Sequence, residues 1–269
     1  MDKIKLNEFL EAIYQKYGYD FRNYSQASLK RRIIMRQTMS RLLNLAEMQQ
    51  KILNDRNFFN ALLADLSINV TEMFRDPHFY RTLRETVIPI LKTYPFIKIW
   101  HAGCSTGEEV YSMAILLKEE GLLSRSLIYA TDFNEVVLNK AREGVYPIDR
   151  LKEYTINYQK AGGVESFSDY YTAKYDAAIM NHALKKQIVF AQHNLASDNV
   201  FGEMHMVMCR NVLIYFNKNL QNRSIGLFHD SLVRKGLLCL GIKESLRFTN
   251  YNDRFFELAR EEKIYKKLD

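Results

Sequence analysis

Cysteine, proline and glycine are all scarce in this chain of 269 residues, which has three, four and eleven of them, respectively. The cysteines, Cys104, Cys209 and Cys239, are odd in number and far apart, without CxxC pairs or a histidine cluster. We therefore expect neither a disulfide framework nor a metal site. With 47% hydrophobic and 26% charged residues, the composition excludes collagen-like, low-complexity and disordered chains.

Long apolar runs are also missing. No stretch approaches the ~18 uninterrupted apolar residues that a membrane span needs, and charges are mixed into the amino-terminal sequence MDKIKLNEFLEAIYQKYG. This start predicts a helix of a soluble protein and not a signal peptide. Together with the few cysteines, it predicts a reducing, cytoplasmic location without membrane insertion.

Acidic residues are in the minority, since 38 Lys and Arg face 31 Asp and Glu, for a formal net charge of +7. The excess is concentrated in residues 20–52, which hold seven bases and two acids. Within this segment, SLKRRIIMR predicts a basic amphipathic helix with Arg32 and Arg36 one turn apart on the same face. Such a cluster is as compatible with an acidic partner as with a solvated helix face.

The spacing of apolar residues divides the chain near residue 95. Before it the spacing is helical throughout, and after it short β-rich runs alternate with helices. The predicted helices are 4–16, 26–40, 44–53, 56–67, 76–93, 107–121, 134–143, 177–185 and 217–234. The predicted strands are 97–101, 127–131, 187–191, 204–209, 237–241 and 264–268. This alternation predicts an α/β fold with a mostly parallel, doubly wound sheet, preceded by a small all-helical domain.

Three domain-level segments follow from this division. We expect a basic helical amino-terminal domain over 1–70, a linker and helix over 71–95, and the α/β domain over 96–269. Residues 152–186 are rich in tyrosine and fit the alternation least well. A small inserted subdomain is therefore expected there.

The first predicted strand runs through a glycine-containing loop into a helix, in the sequence IKIWHAGCSTGEEVYSMAILL. Gly103 and Gly107 allow a sharp turn and a close approach of the backbone to a ligand. Glu108 and Glu109 begin the helix, where they would repel a pyrophosphate but suit a ligand with hydroxyls and an ammonium or sulfonium cation. Asp132 ends the second predicted strand, where a carboxylate can accept both hydroxyls of a ribose. The two signals together favour a nucleoside site over a mere helix cap at Asp132.

The sequence GCSTG also matches the GxSxG nucleophile elbow of hydrolases. That elbow normally follows several strands, whereas here it follows the first predicted strand. No late pair of an aspartate and then a histidine completes a triad in this sequence. We therefore reject a hydrolase.

Two further polar clusters accompany the predicted strands and helices. NVTEMFRDPHFY (69–80) comes just before a predicted helix, and CRNVLIYF (209–216) follows a predicted strand. The carboxyl ends of strands are where open α/β sheets bind ligands. Taken singly, each polar side chain in these clusters is better explained as a cap, a surface cation or a packed aromatic residue.

Taken together, these segments resemble the chemotaxis receptor methyltransferases, the CheR family. NVTEMFRD resembles the family's NVT-x-x-FR-D segment, and AGCSTGEEVYSMA resembles its AGCSTGEEPYS loop. ATD, the NL of QHNL, and CRNVLIYF follow in family order, and SLKRRIIMR resembles the SL-R-R helix of the family's amino-terminal domain. The chain departs from the family pattern at Val110, which replaces a proline, at His205, which replaces an aspartate, and at Lys243, which replaces a serine.

The resemblance implies a Rossmann-like class I methyltransferase that transfers a methyl group from S-adenosylmethionine to glutamate side chains of chemoreceptors, leaving S-adenosylhomocysteine. It implies that Asp132 holds the ribose and that Glu109 contacts the cofactor. Arg75 and Tyr215 would lie nearest the methyl group and the acceptor carboxylate. The implied cofactor pocket is completed by Asn69, Thr71, Arg75, Asn194, Leu195, Arg210 and Asn211.

The resemblance also implies a partner, the cytoplasmic helical domain of a chemoreceptor. The basic helix would lie along acidic receptor helices, and the insert would resemble a small β subdomain that can grip a receptor tail. We expect a monomer that binds no nucleic acid. The implied docking residues are Lys30, Arg31, Arg32 and Arg36.

Two other functions compete with this interpretation. A nucleic-acid methyltransferase would explain the basic charge and the cofactor site, but those that act on base amino groups usually show [DN]PP[YF] where this chain has CRNVLIY. A non-catalytic receptor-binding signalling module would retain the fold alone. The presence of Arg75, Asp132 and Tyr215 argues against such degeneration.

Overall fold

The computed structural model of the chain describes residues 2–67 and 71–268. The first of these ranges is helical, with α1 (Lys3–Tyr17), α2 (Gln26–Met39), α3 (Leu45–Asn54) and α4 (Arg56–Leu66). Each lies within one residue of its predicted bounds, because the sequence carries the capping signals as well as the apolar spacing. The Asn44 side chain accepts a hydrogen bond from the Glu47 amide at 2.9 Å, and Asp55 caps α4 through the Asn57 amide at 2.9 Å. Apolar side chains of all four helices, such as Phe9 and Phe59, form one buried core.

One long predicted helix, 76–93, is interrupted in the structure. It consists of α5 (Pro77–Thr82), a π-helical turn (Leu83–Val87) and α6 (Ile88–Leu91). Pro89 lies at the beginning of α6 and has no N–H to donate, which accounts for the change of hydrogen-bond register in the preceding turn. Within residues 2–67 and 71–268, no helix combines the length and the apolar character that crossing a membrane requires.

The main sheet of the described residues has seven strands: β1 (Ile97–Ala102), β2 (Ser126–Asp132), β6 (Ile188–Gln192), β7 (Met204–Cys209), β8 (Leu232–Leu240), β9 (Phe255–Ala259) and β10 (Ile264–Lys267). Their order in the sheet is β6-β2-β1-β7-β8-β10-β9. The first five in sheet order are parallel, and β10 runs antiparallel to both β8 and β9. From β1 the chain first builds the sheet outward on one side, through β2 and β6. It then returns to add β7 on the other side of β1, so the strand order reverses between β1 and β7. Ligands bind at such a switch point in open α/β sheets.

The helices α7 (Glu108–Glu119), α8 (Glu135–Glu143) and α11 (Lys218–Ser231) connect the parallel strands. All six predicted strands are present, which confirms the predicted doubly wound sheet preceded by helices. The strand β9 is missed because it is a short edge strand with two of its five residues exposed. The predicted helix 217–234 extends beyond the carboxyl end of α11, because the chain enters β8 directly after Ser231.

A smaller sheet lies beside the main one, with β3 (Val145–Pro147), β4 (Tyr171–Lys174) and β5 (Ala177–Met180) in the order β3-β5-β4. The predicted helix 177–185 is wrong over its first half, because residues 177–180 pair with strands on both sides and only α10 (His182–Lys185) is helical. An unpredicted helix, α9 (Leu151–Lys160), precedes β4. The small sheet thus begins at Val145, ahead of the predicted insert. The pairing of β5 with β3 and β4 outweighs local propensity here.

Glu119 of α7 fastens this smaller sheet region to the main domain. Its side chain is 1% exposed and accepts hydrogen bonds from the Tyr170 hydroxyl at 3.0 Å and the Val164 amide at 3.2 Å. It also bonds with Tyr158 and pairs with Arg84. A buried carboxylate with this many donors holds the region at a defined position.

Candidate functional site

A cavity of about 400 Å³ opens at the carboxyl ends of the parallel strands, beside the switch point. Its walls come from the loops that follow β1, β2, β6 and β7, and from the segment that includes Thr71 and Arg75. The segment between α1 and α2, together with the start of α2, adds a further wall. A cavity of this size, at this place in the sheet, is typical of a small-molecule site.

The loop after β1 is folded back onto the end of β2. The amides of Gly103 and Cys104 both donate to the Thr131 carbonyl at 2.8 Å. Gly103 has φ +81°, and a Cβ there would lie 2.7 Å from a methyl group of Val212. Glycine is therefore required at this turn, and it lets two loops meet at the floor of the cavity.

Asp132 lies at the centre of this arrangement and is 8% exposed. Its carboxylate accepts hydrogen bonds from the amides of Ser105 and Asn134, both at 3.0 Å. Burial raises the pKa of Asp132 to about 6, although these amides favour the charged form. The helix-cap alternative does not account for Asp132, because Asn134 caps α8 by accepting from the Val136 amide at 3.0 Å. At neutral pH the cavity therefore presents a carboxylate with lone pairs available to hydroxyl donors.

Arg210, at the end of β7, joins three parts of the site. Its side chain is 1% exposed. It contacts the Asp76 carboxylate at 2.7 Å and the Glu109 carboxylate at 3.1 Å. Its guanidinium lies 3.9 Å from the centre of the Phe79 ring, and it donates to the Arg75 carbonyl at 3.4 Å. The cation thereby fixes the 75–76 backbone against β7 and α7.

Glu109 carries the opposite charge in this cluster. Its second carboxylate oxygen lies 3.0 Å from Nδ1 of His101, which is completely buried. Burial opposes ionisation, but the His101 hydrogen bond and the charge of Arg210 outweigh it and lower the pKa of Glu109. Both oxygens thus have partners within the chain, so Glu109 and Arg210 form a charged wall of the cavity.

The segment after residue 70 contributes Glu72 and Arg75 to the same cavity. Burial, followed by a hydrogen bond with Glu153, raises the pKa of Glu72, and the charge of Arg75 acts in the other direction. This wall therefore combines a cation with a carboxyl group that keeps its proton more readily than usual.

The loop after β7 is positioned by Glu244, which the sequence interpretation missed. This carboxylate is 4% exposed and accepts from the amides of Gly241 at 2.6 Å, Asn211 at 3.0 Å and Ile214 at 3.3 Å. Asn211 itself has φ +62°, so its backbone conformation needs such support. The only sequence signal is a carboxylate shortly after the glycine that ends a predicted strand, which is too common a pattern to stand out.

The described residues of the predicted cofactor and catalytic set all line this one cavity. They are Thr71, Arg75, Glu109, Asp132, Asn194, Leu195, Arg210, Asn211 and Tyr215. Asn69 lies outside the described residues. The cavity is also lined by residues that were not predicted, among them Tyr24 and His193. Their proximity is a structural finding, and the individual roles stay predictions.

Two of the four predicted docking residues do not face outward. Arg36 pairs with Asp65 of α4 and donates to the Ala61 carbonyl at 3.3 Å, and Arg32 donates to the Asp65 carbonyl at 2.6 Å. Both therefore fasten α2 to α4, because the two helices pack on the face that carries these arginines. Arg31 is exposed and Lys30 is half-buried.

Comparison with known protein families gives two matches that together span most of the chain. Residues 69–263 match the family model described as the CheR methyltransferase, SAM binding domain. Residues 4–67 match the one described as the CheR methyltransferase, all-alpha domain.

Individual relatives agree with these matches. A Pseudomonas putida protein provisionally named methyltransferase Cher3 is 52% identical over 98% of this chain and 97% of its own. Chemotaxis protein methyltransferase 2 of Pseudomonas aeruginosa is 30% identical over 87% of this chain and 84% of its own. Among solved structures, the magnesium protoporphyrin IX methyltransferase of Synechocystis with bound SAH is 21% identical and covers 65% of this chain and 59% of its own, with a TM-score of 0.35.

Replacing the Glu244 side chain tests its role in holding the cavity wall. Glu244→Ala leaves three amides without their acceptor, so we expect the free energy of unfolding to fall by about 3 kcal/mol in urea denaturation. Lys243 is exposed and lies next to Glu244, so it gives a matched control. Lys243→Ala should change the free energy of unfolding by less than ~0.5 kcal/mol. Equal effects of the two substitutions would contradict the assignment.

Proposed function

This chain belongs to the CheR methyltransferase family, and we propose that it transfers the methyl group of S-adenosylmethionine to glutamate side chains of chemoreceptors, with S-adenosylhomocysteine as the second product. The observation that carries the proposal is the position of Asp132, a buried carboxylate at the switch point, in one cavity with Arg75. One end of the cavity thus suits a nucleoside and another suits an anionic acceptor. The family's named members include chemotaxis protein methyltransferases, which supports chemoreceptors as the substrates.

The residues of the cavity fit the cofactor. Asp132 would accept hydrogen bonds from the ribose hydroxyls, and Thr71, Asn194, Leu195 and Asn211 would surround the remainder, together with Asn69. When bound, the cofactor supplies a methyl group on a positively charged sulfur. Because Gly103 and Val212 meet at the floor of the cavity, the backbone of the loop after β1 lies close enough to contact a ligand.

The transfer requires positioning and no general base. A glutamate side chain has a pKa near ~4.3 and is a carboxylate at neutral pH. The cofactor would supply the methyl group to one oxygen of this carboxylate, and the electron pair of the carbon–sulfur bond would remain on the cofactor's sulfur. Arg75 would orient the acceptor carboxylate, and Tyr215 would limit its approach. Correct alignment of the two reactants can supply several kcal/mol of the rate acceleration.

The structure supports this positioning through the backbone. The carbonyl of Arg75 accepts from the Arg210 guanidinium at 3.4 Å, and the carbonyl of Tyr215 accepts from the Ser25 amide at 2.7 Å. These hydrogen bonds hold the main chain of both Arg75 and Tyr215 in place, so each side chain extends from a fixed point. The opposite charges of the reactants neutralise as the bond forms, so a cavity that excludes water favours the reaction.

The helical and sheet regions would have different roles. The helical unit, up to about residue 70, would dock the receptor, and residues 96–269 would carry the cofactor, in a monomer acting in the cytoplasm. Since Arg32 and Arg36 are bonded to α4, we place the docking charges at Lys30 and Arg31. The exposed side chains of Ile34 and Met35 lie on the same helix and would add apolar contact.

Loss of the Arg75 side chain tests the catalytic assignment. With labelled S-adenosylmethionine and a cytoplasmic receptor fragment, the protein should form base-labile methyl esters. Arg75→Ala should slow this reaction by about 100-fold, because the acceptor loses its orienting cation. The exposed residue Arg260 provides the control, and Arg260→Ala should react normally. Normal turnover by Arg75→Ala, with its fold verified by circular dichroism, would remove Arg75 from the catalytic set.

Charge reversal on α2 tests the docking surface. Lys30→Glu should raise the KM for the receptor fragment about fivefold, since an attraction becomes a repulsion. It should leave the affinity for S-adenosylhomocysteine unchanged. Lys51→Glu makes the same charge change on α3 and should alter neither value. An equal rise of KM in both variants would show that only net charge matters, and not a surface on α2.

A further inference from the structure

We propose that Tyr24, from the segment between α1 and α2, contacts the cofactor and closes the cavity over its nucleoside part. This inference rests on the proposed function, since it concerns the same cofactor. Tyr24 lines the same cavity as Asp132, Phe133 and Leu195. These three residues belong to the sheet region, whereas Tyr24 precedes α2. The helical region would therefore complete the cofactor site as well as dock the receptor.

The backbone around Tyr24 is joined to the loop that carries Tyr215. Tyr24 forms an antiparallel bridge with Phe216. On either side of it, the Ser25 amide donates to the Tyr215 carbonyl at 2.7 Å, and the Asn217 amide donates to the Asn23 carbonyl at 2.9 Å. The side chains of Asn217 and Asn23 add a bond of 3.1 Å. Residues 23–25 thus lie like a short strand against the rim of the cavity.

The ring of Tyr24 is held in place by two other aromatic rings. It meets the Phe216 ring edge-on with 4.9 Å between centroids, and the Phe21 ring edge-on with 5.1 Å. Phe216 belongs to the sheet region and Phe21 to the helical region, so the ring of Tyr24 packs against both buried cores. Aromatic packing of this kind fixes the direction of the hydroxyl.

The hydroxyl of Tyr24 is available to a ligand. Across residues 2–67 and 71–268, no hydrogen bond to this hydroxyl is present. Burial raises the pKa of Tyr24, and the nearby charge of Asp132 raises it further. The group is therefore a protonated phenol near the carboxylate that would hold the ribose. Tyr24 is half-buried at the cavity, and a nucleoside held by Asp132 would give its hydroxyl a hydrogen-bond partner.

Conservative substitution separates the hydroxyl from the ring. We would titrate S-adenosylhomocysteine by calorimetry into the full-length protein and its Tyr24→Phe and Tyr24→Leu variants. Tyr24→Phe keeps the packing against Phe21 and Phe216 and should weaken binding about fivefold through the lost hydrogen bond. Tyr24→Leu also loses the ring and should weaken it more. Tyr19→Phe, the same chemical change in a residue outside the cavity, should bind like the unchanged protein.

The outcomes distinguish this inference from the proposed function. If the unchanged protein fails to bind S-adenosylhomocysteine, the proposed cofactor is wrong and the inference falls with it. If the unchanged protein binds S-adenosylhomocysteine and Tyr24→Phe binds it equally well, the proposed hydroxyl contact is overturned. This conclusion holds even if Tyr24→Leu fails to fold. An equal loss in Tyr24→Phe and Tyr19→Phe would also overturn it, because the effect would then not come from the cavity. Melting temperatures measured alongside show whether each variant is folded.

Discussion

The arrangement of the cavity depends on one buried cation, Arg210. A guanidinium whose side chain is 1% exposed is costly to remove from water, and only well-placed acids and hydrogen-bond acceptors offset that cost. Asp76 and Glu109 supply the acids from two distant parts of the chain, and the Arg75 carbonyl and the Phe79 ring complete the surroundings. Removing the cation would leave the carboxylates of Asp76 and Glu109 without their shared positive charge. This one interaction therefore holds the segment with the orienting arginine against the sheet.

A second constraint acts on the loop that directly follows Arg210. Glu244 holds the start of the loop after β7 through the Asn211 amide, and Ser25 of the helical region holds its end through the Tyr215 carbonyl. The loop is thus fixed by both regions of the protein at once. A methyl transfer that relies on alignment, without a general base, needs this kind of support. The helical region consequently contributes to the cavity in addition to offering a surface for the receptor.

Much of the site was predictable because strand ends are predictable. The alternation of strands and helices placed Asp132 and the loop before Glu109 at the same edge of the sheet, and the structure brings both into one cavity. Glu244 and Tyr24 were missed because their roles depend on contacts between distant segments, for which a single sequence gives no spacing rule. Likewise, periodicity puts Arg32 and Arg36 on one face of α2 but does not show that this face packs against α4. The strand β5 was mistaken for helix because it is short and one of its two pairing partners, β3, comes from a segment well before it.

The central claim is that Asp132, in its ionised form, anchors the cofactor in this cavity. The most direct measurement is the affinity for S-adenosylhomocysteine as a function of pH, in the unchanged protein and in Asp132→Asn. Burial places the pKa of Asp132 at about 6, so the account predicts constant affinity above neutral pH and a loss of about tenfold between pH 7 and pH 5 as the carboxylate is protonated. Asp132→Asn should bind weakly, without this pH dependence. Equal affinity in the two proteins, or the same pH profile in both, would contradict the account.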